Sequence, residues 1–540
     1  MKTKSIAIIL GMAAAFPFAG MADVKPSGLF TDGMVIQRET NAPVWGTADA
    51  GEKVTVRASW GKTAATTADA SGKWMVKLAT PKAGGPYTMT IQGNNTVNIK
   101  DVLSGEVWFC SGQSNMKYQL RKLANARPKV TEEKYEPVAA YIKKEMDTAQ
   151  DEMLRLFDVA EKTSAFEPLE TLSGQWEACS PEANPEFSGT AYFFGRELRK
   201  ALNVPVGLIT CTWGGTRVES WMPAEAFQQD KEMATYYERQ RSGLKKLVKK
   251  WDPKQAEANY QAALAKQTAK GKGRKPKREK DPEGNHKNLT TLFNGMVNPV
   301  VPYAIRGAIW YQGESHGASI AHRYGAHFSA MISAWRKQWD QGDFPFYFAQ
   351  LANHKDPVTE PVEFNSWALV CDQQRRTLGL KNTGMAVLND VGEANDIHPH
   401  NKVDVGKRLA LWALKNDYKQ NIPVCSGPLY KSHEIKGDQV IIQFDSAGSG
   451  LMSGEKPVLD AARKTGEPLK HFQICGADRQ WKWALADITG KDTVTVSHPE
   501  VRTPVVVRYA WASNPESANL YNKEGLPASI FTTANLVTSE

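Results

Sequence analysis

Five short, almost wholly apolar runs punctuate the middle of the chain, at 107–110, 206–211, 305–311, 346–351 and 385–388. Each is followed at once by residues that do chemistry or turn the backbone: Ser111-Gly112-Gln113-Ser114, Gly214-Gly215, Gln312, Asn353-His354 and the loop 390–398. Continuous apolar runs of this length read as strands buried on both faces, the situation of a parallel sheet covered by helices on either side. Amphipathic stretches at 192–202, 328–339 and 403–414 lie between the runs and supply those helices. Strands alternating with helices define an α/β chain with a parallel sheet. Open sheets of this kind bind ligands at the carboxyl ends of their strands, so the groups after the five runs are expected along one sheet edge.

The texture differs on either side of that region. Residues 23–100 alternate polar and apolar, as in Val54-Thr55-Val56-Arg57-Ala58, between turn signals at Ser71-Gly72 and Gly84-Gly85-Pro86, which predicts a small β-sandwich. Alternation returns in 421–540, as in Val440-Ile441-Ile442-Gln443-Phe444, and predicts a second β-rich domain. With the α/β domain at 101–420 this makes three units, in keeping with 540 residues being too many for one core. Ahead of them Met1-Lys2-Thr3-Lys4 is basic, 6–19 is almost wholly apolar and Ala22 closes a small-residue stretch. That pattern predicts a signal peptide over 1–22, cut near Ala22, and export to the periplasm or the outside. No second run of ~18 apolar residues follows, so no membrane span is expected. Six widely spaced cysteines form no Cys-x-x-Cys pair; export permits disulfides, and buried free thiols are the alternative.

Inside the α/β region, at about 237–288, sits a stretch rich in Lys, Arg, Ala and Gln. From Arg239 to Lys287 there are 16 Lys or Arg against 5 Asp or Glu, a surplus larger than the +9 of the entire chain. The basicity is therefore local. Aromatic residues, which stack on bases, are missing from 266–280, so no nucleic-acid partner is expected. A solvated helical arm fits this composition, and loose attraction to acidic glycans or anionic surfaces is the alternative.

Ser114 follows a buried strand and a glycine that lets the chain turn. Two roles suit such a serine: a nucleophile presented at the sheet edge, or the N-cap of the next helix. Met116 stands where the Gly-x-Ser-x-Gly elbow has its second glycine, which argues against an ordinary α/β-hydrolase. Further blocks follow in order: Trp213-Gly214-Gly215-Thr216-Arg217-Val218-Glu219-Ser220-Trp221, Trp310-Tyr311-Gln312-Gly313-Glu314-Ser315 and Asp396-Ile397-His398-Pro399. Together with 112–116 these resemble the sialate O-acetylesterase family, a branch of the SGNH (GDSL-like) hydrolases that also resembles acetylesterases of plant polysaccharides. Asn519-Leu520-Tyr521-Asn522 and Gly525-Leu526-Pro527 resemble that family's C-terminal signature.

The resemblance implies an SGNH-type, flavodoxin-like hydrolase domain and a serine esterase acting on O-acetylated carbohydrate without a cofactor. A serine hydroxyl needs a base, an orienting acid and donors for the oxyanion. Ser114 is the expected nucleophile and His398 the base, with Asp396 two residues before it as the acid. Many SGNH enzymes have Asp-x-x-His, whereas position 395 here is Asn; Asp390, or a backbone carbonyl steadying a Ser-His dyad, are the alternatives. The resemblance assigns the oxyanion hole to the backbone N–H groups of Ser114 and Gly215 and the side-chain amide of Gln312, where Gln replaces the usual Asn. Arg217, Glu219 and Glu314 are candidate substrate contacts, with two alternatives for the glutamates, positioning the site by accepting hydrogen bonds or facing solvent; His316 replaces a common Asn. His316, His322 and His327 share no ligand spacing with a carboxylate, so no metal is expected. Arg217 would suit the carboxylate of a sialate, whereas Trp213 and Trp221 would suit neutral xylan. The competing function is a carbohydrate-binding protein on the same fold that has lost its acid.

Overall fold

The computed structural model describes residues 23–125, 135–271, 273–318 and 320–535. The expected signal segment 1–22 lies outside them. Seven strands make the centre of the molecule: β1 (Thr96–Gly112), β2 (Asp151–Asp158), β3 (Trp176–Cys179), β4 (Val206–Thr212), β5 (Gly307–Tyr311), β6 (Phe346–Ala349) and β7 (Thr383–Ala386). They lie in the order β3-β2-β4-β1-β5-β6-β7. All neighbours are parallel except the edge pair β2–β3.

The apolar runs become strands because both faces are covered. Alternate residues point to opposite sides: Trp108, Cys110, Leu208, Ile309, Tyr311 and Tyr347 into one cluster, and Val107, Phe109, Ile209, Trp310, Phe346 and Phe348 into the other. Helices α3 (Gly189–Leu202) and α8 (Lys402–Asn416) cover the first face with Phe193, Phe194, Leu409 and Ala413. Gly406 lets them approach, since a Cβ there would stand 2.6 Å from the backbone nitrogen of Phe194. Helices α6 (Tyr324–Trp339) and α7 (Ser366–Arg376) cover the other face with Phe328, Trp335 and Val370.

The amino-terminal strands join this sheet. The expected boundary at 100/101 falls within β1, whose first half pairs antiparallel with Gly84–Gln92 and whose second half pairs parallel with β4 and β5. Asp101, at φ 54°, sits between the halves. The central sheet is thereby mixed and carries 11 strands. A separate three-stranded sheet contributes Val44, Trp74 and Val76 to the same cluster as Val54, Val56 and Ile91. Beyond α8, antiparallel sheets of four, three and four strands occupy 429–532.

The basic stretch forms two helices, α4 (Lys231–Lys250) and α5 (Pro253–Lys270), and the chain returns through 281–291. The shorter helices α1 (Ser114–Lys117) and α2 (Glu136–Thr148) follow β1. No helix among the described residues is long and apolar enough to cross a membrane.

Candidate active site

Counting only the strands of the parallel run from β4 to β7, β1 is first in the chain but second in space, between β4 and β5. The chain order reverses there, and open parallel sheets place their ligand sites at such a point. Ser114 occupies that point. Gly112 (φ 141°) makes the exit possible: a Cβ on it would lie 2.2 Å from the carbonyl oxygen of Tyr311 on β5. Ser114 is the first residue of α1, whose N-cap is Gln113 with no side-chain capping bond. The N-cap role is thus not the one Ser114 plays. Its hydroxyl has no hydrogen-bond partner among the described residues, and neither its backbone N–H nor that of Gly215 has an acceptor there.

The other blocks meet around this serine. Gly214 lies against it, since a Cβ on Gly214 would be 3.4 Å from Ser114 Cβ. Asn115 Nδ2 donates to the carbonyl of Ile397 at 2.9 Å and to the carboxylate of Glu314, and Gln113 Nε2 donates to the same carboxylate. The ring of Tyr118 stacks on that of His398, centroids 4.8 Å apart. Asp396 Oδ1 is 3.5 Å from His398 Nδ1 and accepts the backbone N–H of His398 at 2.9 Å. One carboxylate oxygen therefore both makes the Asx-turn and faces the imidazole. Asp390 is elsewhere: its two oxygens pair with Arg408 on α8 at 2.6 and 2.8 Å.

The side chains of Gln312, Glu219 and Glu314 are bonded to other parts of the chain. Gln312 is fully buried, and its Nε2 donates to the carbonyl of Thr216 at 3.0 Å and meets His316 Nδ1 at 3.3 Å. One amide hydrogen is thus committed to the carbonyl that follows the Gly-Gly turn, while Nε2 also faces the His316 ring. Glu219, buried as well, sits between His316 Nε2 (3.2 Å) and His327 Nδ1 (3.0 Å). Burial alone would raise its pKa, but those imidazoles outweigh it and hold the carboxyl well below its usual range. Such a group braces the interior, tying the 213–221 block to the loop after β5 and to α6. Glu314 is turned inward onto Gln113 and Asn115, where it locks the Ser114 loop to β5. Arg217, by contrast, is exposed beside the turn.

Sequence reasoning missed Lys402. It is completely buried at the start of α8, with Nζ donating to Asn115 Oδ1 at 2.8 Å and to the carbonyl of Pro399 at 2.6 Å. Burial pushes its pKa down to about 7, while Glu314 and Glu393 oppose the shift. Lys402 and Asn115 together clamp the nucleophile loop to the His398 loop. Spacing held the clue: Lys402, Val405 and Leu409 fall on one buried helical face. The return of the basic arm also borders the site, because the ring of His286 stacks on Trp213 (5.0 Å, 2°). Trp221 is fully buried and offers no face to a sugar. All six cysteines are buried free thiols. Among the described residues no group of three or more His, Cys, Asp or Glu is arranged to hold a metal.

A presented hydroxyl, an imidazole faced by a carboxylate and free backbone donors are the kinds of group that acyl transfer from an ester to water requires. A family profile described as "Carbohydrate esterase, sialic acid-specific acetylesterase" matches residues 104–270 and 283–415, and the chain belongs to that family. The match runs through α4 and α5 and omits only the link 271–282 between its two parts. Rat (Rattus norvegicus) sialate O-acetylesterase is 28% identical over 545 residues, covering 92% of each chain. The human (Homo sapiens) enzyme of the same name is 27% identical over 541 residues, covering 92% of this chain and 90% of its own. The crystal structure of a carbohydrate acetylesterase from Xanthomonas citri is 33% identical, covers 95% of this chain and 100% of its own, and has a TM-score of 0.75. The protein is accordingly a carboxylic ester hydrolase.

Proposed function

We propose that this enzyme is an exported serine esterase of SGNH type that removes O-acetyl groups from carbohydrates, with O-acetylated sialic acid as its substrate. The observation that carries the reading is the meeting of all four motif blocks around Ser114, tied by Asn115 to Ile397 and Glu314 and packed against Gly214. Within the six-stranded parallel run β2-β4-β1-β5-β6-β7, the five strands from β4 onward follow the flavodoxin-like order second-first-third-fourth-fifth, with β2 added beyond β4, and this supports the SGNH assignment. In the mechanism, Ser114 Oγ attacks the acetyl carbonyl while His398 takes its proton. The oxyanion receives the N–H groups of Ser114 and Gly215, which have no acceptor among the described residues. Collapse breaks the ester bond, and His398 returns the proton to the departing sugar oxygen. Water then repeats the sequence on the acetyl-serine and releases acetate. Asp396 orients His398, since Asp390 is committed to Arg408.

For the sugar, the exposed Arg217 suits a sialate carboxylate, and the burial of Trp221 removes one of the two aromatic platforms that would favour neutral xylan. The names of the rat and human relatives favour the same choice. Acetate release from O-acetylated sialic acid and from acetylated xylan oligosaccharides, measured in parallel with Arg217→Ala, tests it. Sialate is expected to be preferred and to depend on Arg217. Preference for xylan, with sialate turnover indifferent to Arg217→Ala, would reverse the choice of sugar and leave the esterase intact. Export rests on the 1–22 segment and is tested by amino-terminal sequencing of the mature protein, expected to start after Ala22.

A further inference from the structure

The family's catalytic blocks do not use the basic arm, yet the arm reaches the site. A cavity of about 510 Å³ opens between α4, the returning segment and the turn that carries Gly215. That is within the size range of ligand sites, about 300–1,000 Å³. Five cations line it, Arg217, Arg241, Lys246, Lys250 and Lys287, and no carboxylate does. Lys246 and Lys250, four residues apart, share one face of α4. Lys287 Cε lies 4.0 Å from where a Cβ on Gly215 would be, so the cationic wall begins beside the proposed oxyanion donor.

None of Arg217, Lys246, Lys250 and Lys287 has a carboxylate partner among the described residues. Elsewhere on the arm a cation is paired, as Arg278 is with Glu257 at 2.9 Å. Arg241 is held in position by Tyr237, whose hydroxyl accepts from its Nη1 at 2.8 Å, and by the Phe166 ring 5.4 Å away. Like charges gathered around one cavity repel, and an entering anion relieves that repulsion through charge-assisted hydrogen bonds.

We propose that this cleft is a second substrate subsite, which takes the carboxylates of an acidic glycan chain while the sugar bearing the acetyl ester sits at Ser114. The enzyme then prefers acetyl esters on anionic oligosaccharides over equivalent neutral esters. The inference rests on the sugar-acetylesterase reading of Ser114 and extends it from one sugar to the chain that carries it.

The test compares kcat/KM on O-acetylated oligosialic acid with kcat/KM on 4-nitrophenyl acetate, in the full-length protein. Lys246→Glu with Lys250→Glu is expected to lower the ratio about tenfold, through KM on the acidic chain, and the wild-type ratio is expected to fall as salt rises. Lys275→Glu with Lys277→Glu makes the same charge change on the arm outside the cleft and is expected to keep the wild-type ratio. An unchanged ratio in the Lys246/Lys250 variant, or an equal fall in the Lys275/Lys277 control, would overturn the subsite. Failure of the underlying reading looks different: the wild type would hydrolyse 4-nitrophenyl acetate through Ser114 but release no acetate from any sugar. Calorimetric binding of unacetylated oligosialic acid to Ser114→Ala then decides the cleft by itself. Binding abolished by Lys246→Glu with Lys250→Glu supports it, and absence of binding, or binding indifferent to those changes, overturns it.

Discussion

The two ends of the parallel half of β1, Glu106 to Gly112, are finished in opposite ways. At the amino end Glu106 is fully buried, and its carboxylate receives Arg306 at 2.8 Å, Arg38, Gln37 at 3.2 Å and Tyr418 at 3.0 Å. Those partners come from the amino-terminal strands, from the approach to β5 and from the end of α8, so one carboxylate ties three parts of the chain together. At the carboxyl end the half-buried Ser114 has, among the described residues, no partner for its hydroxyl and no acceptor for its backbone N–H. Saturated polar groups fix a geometry, whereas unsaturated ones are available to a substrate. A single strand thus carries stability at one end and chemistry at the other.

The contrast would break most visibly at Ser114. Ser114→Ala and His398→Ala should each lower kcat by about 10⁴–10⁶ in acetate-release assays without lowering the thermal midpoint, and the double variant should be scarcely worse than either alone. A midpoint that falls with the activity would mean that Ser114 supports the fold after all.

Asp396→Asn and Asp390→Asn sharpen the comparison within one loop. The first should cut kcat by about 10²–10⁴ at little cost in stability. The second should unpair Arg408 and destabilise by about 3–5 kcal/mol in denaturant unfolding, with the folded fraction still active. Exchange of these two outcomes would transfer the orienting role to Asp390.

Glu106→Ala should likewise cost about 3–5 kcal/mol and leave the kcat of folded protein near that of the wild type. Burial opposes ionisation of Glu106, but Arg306 and Arg38 outweigh it and hold the pKa below the ordinary 4.5. A depressed carboxylate stabilises the fold above the ordinary value, and that contribution is lost as pH falls through the lower, folded value. Wild-type unfolding free energy should therefore fall more steeply below about pH 4.5 than that of Glu106→Gln. Parallel curves would show that the cluster contributes nothing through charge.

Lys402 gives the smallest and most specific test. Its folded pKa of about 7 lies below the ordinary 10.5, so its burial penalty is fully present below pH 7 and lifts as pH rises towards 10.5. Stability of the wild type relative to Lys402→Met should grow across that window, by about 1–3 kcal/mol after allowance for relaxation. The variant should also lose about tenfold in kcat as Asn115 loosens. A flat stability difference would mean that Lys402 is charged in place.

Much of this was legible without coordinates. Runs such as 107–110 are apolar at every position because a parallel strand meets a core on both faces, and that requirement is written residue by residue. The same holds for Gly112, Ser114 and the order of the blocks, which also identified Asp396 and His398 as neighbours. The partners of Glu219, Glu314 and Gln312 were not legible. These residues stand in conspicuous motifs, and their type suits both a substrate contact and an internal brace; the difference is the direction in which a side chain points, which is set by distant residues such as His327 and Asn115. The continuity of β1 across 100/101 was hidden for a related reason, because composition changes there while one strand runs on through Asp101. Sequence by itself determined which elements form and which chemical groups stand at their ends, since periodicity and local turns depend on near neighbours. Only the tertiary structure decided which of those groups are saturated and which are left free, because a hydrogen-bond partner is chosen by position in space and not by position in the chain.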